Sequence, residues 1–255
     1  MVLEAWLEFG RGPLFRLCFA LMLLGLARIV VLTVISMREA YGRSADKILP
    51  WRDLTIKTLG WLLPLGTLWR KRPVYSTISF LFHIGLLGVP LLLGAHVLLW
   101  KESVGFALPA IPESLADQLT LLMIVTAVGL FFGRLLHSGA RALSRGQDYV
   151  WPPLLLVPFL TGYLCSNTAV SPHAYQSLML IHVWSADLIM VMLPFTKIAH
   201  CVLLPLSQYV TGLAWKFPCG AGAQVAATLG YAGRPTWVER PRLAIDKSTA
   251  PTEEA

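Results

Sequence analysis

Apolar and polar residues are laid out along this chain in long blocks. A helix crosses a bilayer with about 17–25 predominantly apolar residues, and five blocks meet that need: residues 14–35, 75–100, 119–136, 149–165 and 175–210. The first block carries Arg16 near its start and Arg28 deeper in. The second contains Pro90, where a kink or local rewinding is expected. The fourth has Pro152 and Pro153 at its entrance and Pro158 within. The fifth exceeds what the bilayer requires, so its end is expected to project into water. Residues 54–69 (LTIKTLGWLLPLGTLW) are broken by Gly and Pro, rich in Trp and flanked by charge, which reads as an interfacial helix. From residue 211 onward the chain turns polar and rich in Gly, Pro and Arg, as in a docking or disordered tail. The pattern predicts an all-α integral membrane protein. Residues 1–210 form its five-helix transmembrane bundle and residues 211–255 an appended tail.

Composition agrees with that reading. Of 255 residues, 56% are hydrophobic and 14% charged, and the mean hydropathy is +0.63; soluble domains carry roughly 25% charged residues. A net charge of +7 would suit a nucleic-acid partner, but its placement argues otherwise. Eight Lys/Arg lie in residues 37–74, three more are Arg134, Arg141 and Arg145, and five follow residue 210. On the opposite side stand only Arg11 and Lys101. The positive-inside rule then puts the N-terminus outside and the C-terminus in the cytoplasm. The expected location is the cell inner membrane, multi-pass, with lipid rather than nucleic acid as surroundings. Cys18, Cys165, Cys201 and Cys219 are isolated in sequence, so no CxxCH haem attachment or CxxC cluster exists. The N-terminus lacks a basic n-region and small-residue cleavage site; the first span reads as an uncleaved anchor.

The chemistry lies in four histidines inside the apolar blocks. His182 and His200 stand 18 residues apart on the fifth block. On one continuous helix that is five turns, one face, and about 27 Å of rise. The second block carries His83 and His96. Antiparallel passage of the two blocks puts His83 at the depth of His200 and His96 at the depth of His182. Intramembrane ionisable groups are costly and usually functional, and imidazole is a common axial ligand of haem iron. The arrangement implies two bis-histidine b haems, one above the other. The 13 residues between His83 and His96 span about 220° of a straight helix, so the helix must rewind between them, by a π-bulge near Pro90. His137 and His173 fall at helix ends and read as solvated. Haem propionates need cationic partners, for which Arg28, Arg134 and Lys197 are the candidates. At the cytoplasmic end no acid is expected within the adjoining spans. Asp187 is the lone acid within the fifth block.

The segments FHIGLLGVPLLLGAH, QDYVWPPLLLVPFLTGYL and LPFTKIAH resemble the nitrate reductase gamma subunit family of dihaem membrane cytochromes b. The nearer likeness is to its relatives in sulfite-reductase-linked and heterodisulfide-reductase-type complexes, and it covers residues 14–210. The resemblance implies a subunit of a quinol/quinone oxidoreductase complex with menaquinone or ubiquinone as substrate. It also implies iron–sulfur or multihaem cytochrome partner subunits that carry the terminal catalysis. By that resemblance His83 and His200 hold the haem nearer the partner, and His96 and His182 the haem nearer the quinone. Asp187 and Lys101 are then the candidate quinone and proton residues on the outer side. Two competing readings are a histidine-lined transition-metal or proton transporter and a non-redox membrane anchor subunit.

Overall fold

The computed structural model describes residues 2–62, 70–214 and 216–230. Among these no strand forms; two isolated bridges, Ser44–Pro218 and Leu93–Ile111, tie loops to helix ends. Five helices are long and apolar enough to cross a membrane, and the protein is a multi-pass, all-α membrane protein. They are α1 (Val2–Arg43), α3 (Pro73–Leu92), α5 (Glu113–Leu136), α7 (Gly146–Asn167) and a fifth running Pro172–Phe195, whose α-helical part, α8, is Pro172–Met192. Between and after them stand α2 (Trp51–Leu62), α4 (Gly94–Val104), α6 (Ser138–Leu143), α9 (His200–Ala214) and α10 (Ala221–Thr228).

Neighbouring helices pack in the order α3, α5, α7, α8, α1. The densest junction is where α3, α5 and α7 meet: Val89, Ala127 and Phe159 close around Met123, which is fully buried. Outward-facing Leu24, Val125 and Leu160 are exposed, as lipid-facing side chains must be. Helices α3 and α8 are not among the closely packed pairs.

The spans differ from their sequence reading in three ways. Helix α1 begins at residue 2 rather than 14, through a π-helical turn at Gly10–Leu14 that contains Pro13. Proline supplies no N–H, and a widened turn absorbs the missing bond. The second block, read as one span over 75–100, is two helices. The break falls at Leu93 (φ −63°, ψ 133°), and Pro90 stays inside α3. No π-bulge forms there. The third difference is in the fifth block, read as continuous over 175–210. Helix α8 ends at Met192, short 3₁₀ turns occupy Leu193–Phe195 and Lys197–Ala199, and Thr196 between them is extended (φ −131°, ψ 179°). Pro194 cannot continue the α-helical ladder. The five-turn, one-face argument for His182 and His200 therefore fails, because no single helix joins them.

The interfacial helix expected at 54–69 is found as Trp51–Leu62, with 63–69 outside the described residues. It packs on α9, where Thr55 and Tyr209 share a hydroxyl hydrogen bond of 3.0 Å. Of the tail, residues 211–214 complete α9, and 215 and 231–255 lie outside the described residues. Residues 216–230 dock on the loop after α1: the Ala45 N–H donates to the Phe217 carbonyl at 3.2 Å, and Lys216 pairs with Asp46.

Candidate functional site

The breaks in the two helices decide where the four histidines point. Ending α3 at Leu93 strands its last carbonyls, which normally need partners from outside the helix. Val89 keeps the Leu93 N–H and also accepts Nδ1–H of His96 at 3.1 Å. The Pro90 carbonyl accepts the Trp100 indole N–H at 3.0 Å, and that of Leu92 the Ile111 N–H at 2.9 Å. Trp100 packs in turn against Phe15 and Phe19 of α1, with ring centroids 5.3 and 5.2 Å away. Restarting the chain as α4 lets His96 turn inward with its ring beside that of His182: centroids 5.9 Å apart, planes within 7°. At the other end the His83 and His200 rings have centroids 6.1 Å apart and planes at 88°.

Each of the four rings makes the same kind of bond on one nitrogen. Nδ1–H of His83 donates to the Ser79 carbonyl at 2.6 Å, and that of His182 to the Pro158 carbonyl of α7 at 2.7 Å. His200 donates likewise to the Lys197 carbonyl at 2.9 Å. A carbonyl can only accept, so Nδ1 carries the proton in the neutral ring and Nε2 keeps its lone pair free to bind a metal. This is the outer-shell pattern typical of metal-binding histidines. His137 behaves oppositely: its Nδ1 accepts the Ala140 N–H at 3.3 Å, capping α6. His173 is exposed in the first turn of α8.

These residues fit haem on two counts. Imidazole nitrogen binds a metal at about 2.0–2.1 Å, so two rings in line across one metal have centroids about 6 Å apart, the spacing of both pairs. Among the described residues no group of three or more His, Cys, Asp or Glu could hold a metal ion. Finally, Thr196 Oγ1 is buried without a hydrogen-bond partner, one residue before Lys197, where a carboxylate from outside the chain would be satisfied.

The expected cations sit differently from their sequence reading. Arg134 and Lys197 both pair with Asp148, Arg134 at 2.9 Å. An acid therefore does stand at this end, contrary to expectation, because α7 starts at Gly146 and carries Asp148 in its first turn. Arg28 is exposed on α1 and makes no ion pair among the described residues. Asp187 is 3% exposed, and its Oδ2 has no hydrogen-bond partner. Lys101 is exposed in the last turn of α4. No hydrogen bond or ion pair joins Lys101 to Asp187 among the described residues.

Sequence reasoning missed Gly162 and the pair Gln147–Asp148. A Cβ on Gly162 would lie 2.9 Å from His182 Cε1 and 3.0 Å from its Nδ1, so only glycine lets the ring reach the Pro158 carbonyl. The available signal was a glycine inside an apolar span, four residues after a proline. Gln147 Oε1 accepts the Lys197 N–H at 3.2 Å; nothing in the sequence marks that contact. A cavity of about 550 Å³ opens between Glu4, Glu8 and Arg11 of α1 and Pro172, Tyr175 and Gln176 of α8. Tyr175 stands two helical turns before His182, on the same face.

The chain is similar to a curated protein of Nitratidesulfovibrio vulgaris described only as "Protein", at 35% identity over 167 residues, covering 65% of this chain and 73% of that one. No family model and no solved structure matches it.

Proposed function

We propose that this chain, which belongs to one protein family with the Nitratidesulfovibrio vulgaris relative, is the membrane cytochrome b subunit of a respiratory redox complex. It carries electrons through two bis-histidine b haems between the quinone pool and a partner iron–sulfur or cytochrome subunit. The observation that carries this reading is the pairing itself. Two sets of imidazoles face each other at 5.9 and 6.1 Å, all four with Nδ1 bound to a carbonyl. His96 and His182 would hold one haem, His83 and His200 the other. A haem at each pair would supply a one-electron carrier at each end of the bundle.

The protein's own groups do the rest. Carbonyls of Ser79, Val89, Pro158 and Lys197 hold the proton on Nδ1 and keep the rings turned. In the proposed topology the N-terminus is outside, the C-terminus cytoplasmic, and the membrane the cell inner membrane. Loops rich in Lys and Arg then face the partner subunit. Menaquinone or ubiquinone would meet the protein on the His96–His182 side. Support for that comes from the cavity beside Tyr175 and from Lys101 at the end of α4. Asp187 is too buried to touch a quinone arriving from lipid and is assigned instead as a carboxyl that relays the released proton.

A transporter reading gains nothing from two-ligand sites, since a bare transition metal needs more donors. An oxidised-minus-reduced spectrum with pyridine haemochrome quantitation of the purified chain tests the proposal. Two b-type haems per chain are expected; a protein without haem after expression under haem-replete conditions ends the reading.

A further inference from the structure

His200 differs from the other three histidines in the backbone that presents it. The residues just before it are two 3₁₀ turns around an extended Thr196. No continuous α-helical ladder fixes such a segment, and its position must come from outside. Two consecutive residues of α7 provide it. Gln147 Oε1 accepts the Lys197 backbone N–H at 3.2 Å. The Asp148 carboxylate receives the Lys197 ammonium on Oδ2 and the Arg134 guanidinium on Oδ1, the latter at 2.9 Å. The carboxylate is itself anchored by the Arg145 N–H at 2.8 Å. Lys197 in turn offers its carbonyl to Nδ1–H of His200 at 2.9 Å. One residue, Lys197, thus connects α7 to the ring.

We propose that Gln147 and Asp148 are positioning residues for His200, setting both the orientation of this one ligand and the charge around the metal centre it serves. The inference rests on the dihaem reading. The two residues act through separable physics. Gln147 is neutral and fixes backbone; Asp148 balances two cations with one negative charge. Asn at position 148 would keep the shape and remove the charge, leaving Arg134 and Lys197 uncompensated. Extra positive charge favours the electron-rich state of a nearby centre, so its reduction potential rises. Ala at position 147 would leave charge unchanged and free the Lys197 turn, altering how the His200 ring is presented.

The experiment is a redox titration of the purified full chain, followed optically and by low-temperature electron paramagnetic resonance, for wild type, Asp148→Asn, Asp148→Glu and Gln147→Ala. In Asp148→Asn one haem midpoint should rise while the other stays at its wild-type value, and Asp148→Glu should restore the first. Gln147→Ala should change the low-spin signal of that same haem with little movement of its midpoint. A His200→Ala protein identifies which haem is which. A wild type without haem removes the dihaem reading and this inference with it. With two haems present, unchanged midpoints in Asp148→Asn, or equal movement of both, overturns the positioning role alone. Should Asp148→Asn lose both haems, Gln147→Ala decides: a signal change confined to the His200 haem sustains the inference, and an unaltered signal overturns it.

Discussion

The two histidine pairs have nearly equal ring separations and are built in contrasting ways. His96 and His182 are each tied to a carbonyl distant in the chain, seven residues back across a helix break and 24 residues away on α7. Their rings are nearly parallel and partly buried. His83 and His200 are tied to carbonyls four and three residues away, their planes are perpendicular, and His200 is exposed. The rings of one pair are tied to carbonyls across a helix break or on another helix, and those of the other to carbonyls of their own segment, with α7 reaching His200 only indirectly through Lys197. The lesson is that matching ring distances do not imply matching stability. A tertiary tether couples the ligand to the integrity of the fold, while a local one lets the ligand be lost or retuned with little consequence elsewhere.

The largest expected effects test this contrast directly. Each of His83→Ala, His96→Ala, His182→Ala and His200→Ala should remove about one haem of two by pyridine haemochrome assay. In haem-free protein the four should separate. His96→Ala and His182→Ala each remove a bond that joins segments across a helix break or between helices, and both should destabilise by about 1–1.5 kcal/mol. His83→Ala and His200→Ala should cost less than about 1 kcal/mol, because only short-range bonds disappear. Thermal melts in detergent that rank the four alike would erase the distinction.

Next comes Gly162→Ala. Its methyl would press on His182 and cost about 1–3 kcal/mol, as overpacking does. It should lower occupancy of the His96–His182 site and leave the other site full. Gly94→Ala, where a Cβ meets nothing within 4 Å, is the matched control and should bind both haems. Equal haem loss in the two variants would show that backbone freedom, not the ring contact, matters at Gly162.

Asp187→Asn should act more narrowly, slowing haem reduction by quinol severalfold while both haems stay bound and reducible by dithionite. Stopped-flow traces identical to wild type would take Asp187 out of the proton path.

The smallest effect concerns the tail docked at the end of the bundle that carries α9. A hydrogen bond from Lys216 holds the Asp46 carboxyl below its ordinary 3.8. A depressed carboxyl contributes its stabilisation in full above 3.8 and loses it as the pH falls through the lower folded value. Tail release, followed by limited proteolysis after residue 214, should therefore increase only below about pH 3.8 and show no such step in Asp46→Asn. With Asp46 exposed and Lys216 partly so, the pair should also weaken in high salt.

Much of the architecture was legible in the chain as written. Five apolar blocks define five spans because a bilayer leaves backbone groups no partner but their own helix, and that demand is met locally, by composition alone. The four histidines of the apolar blocks stood out equally, since ionisable residues in such blocks are few, but only His83 and His182 lie within the five spanning helices, while His96 and His200 open the shorter helices that follow the breaks. Where those blocks stop being helical was not. Pro90 looked like the place for the second block to rewind, but its carbonyl and those of Val89 and Leu92 find partners in Trp100, His96 and Ile111. Those partners become available only once α4 has folded back, and they move the break to Leu93. The helical period that seemed to align His182 with His200 runs through Pro194 and Thr196, where no helix exists to carry it. Gly162, Gln147 and Asp148 left no periodic trace, because their roles are contacts with residues 20, 50 and 49 positions away. Sequence by itself determined which residues must lie in the membrane, a matter of transfer free energy summed over each block. Which histidines pair was already implied by antiparallel depth, whereas only the tertiary structure decided how each ring is turned and which of its nitrogens is left free. Those choices depend on carbonyls left free at helix breaks and on contacts between distant segments.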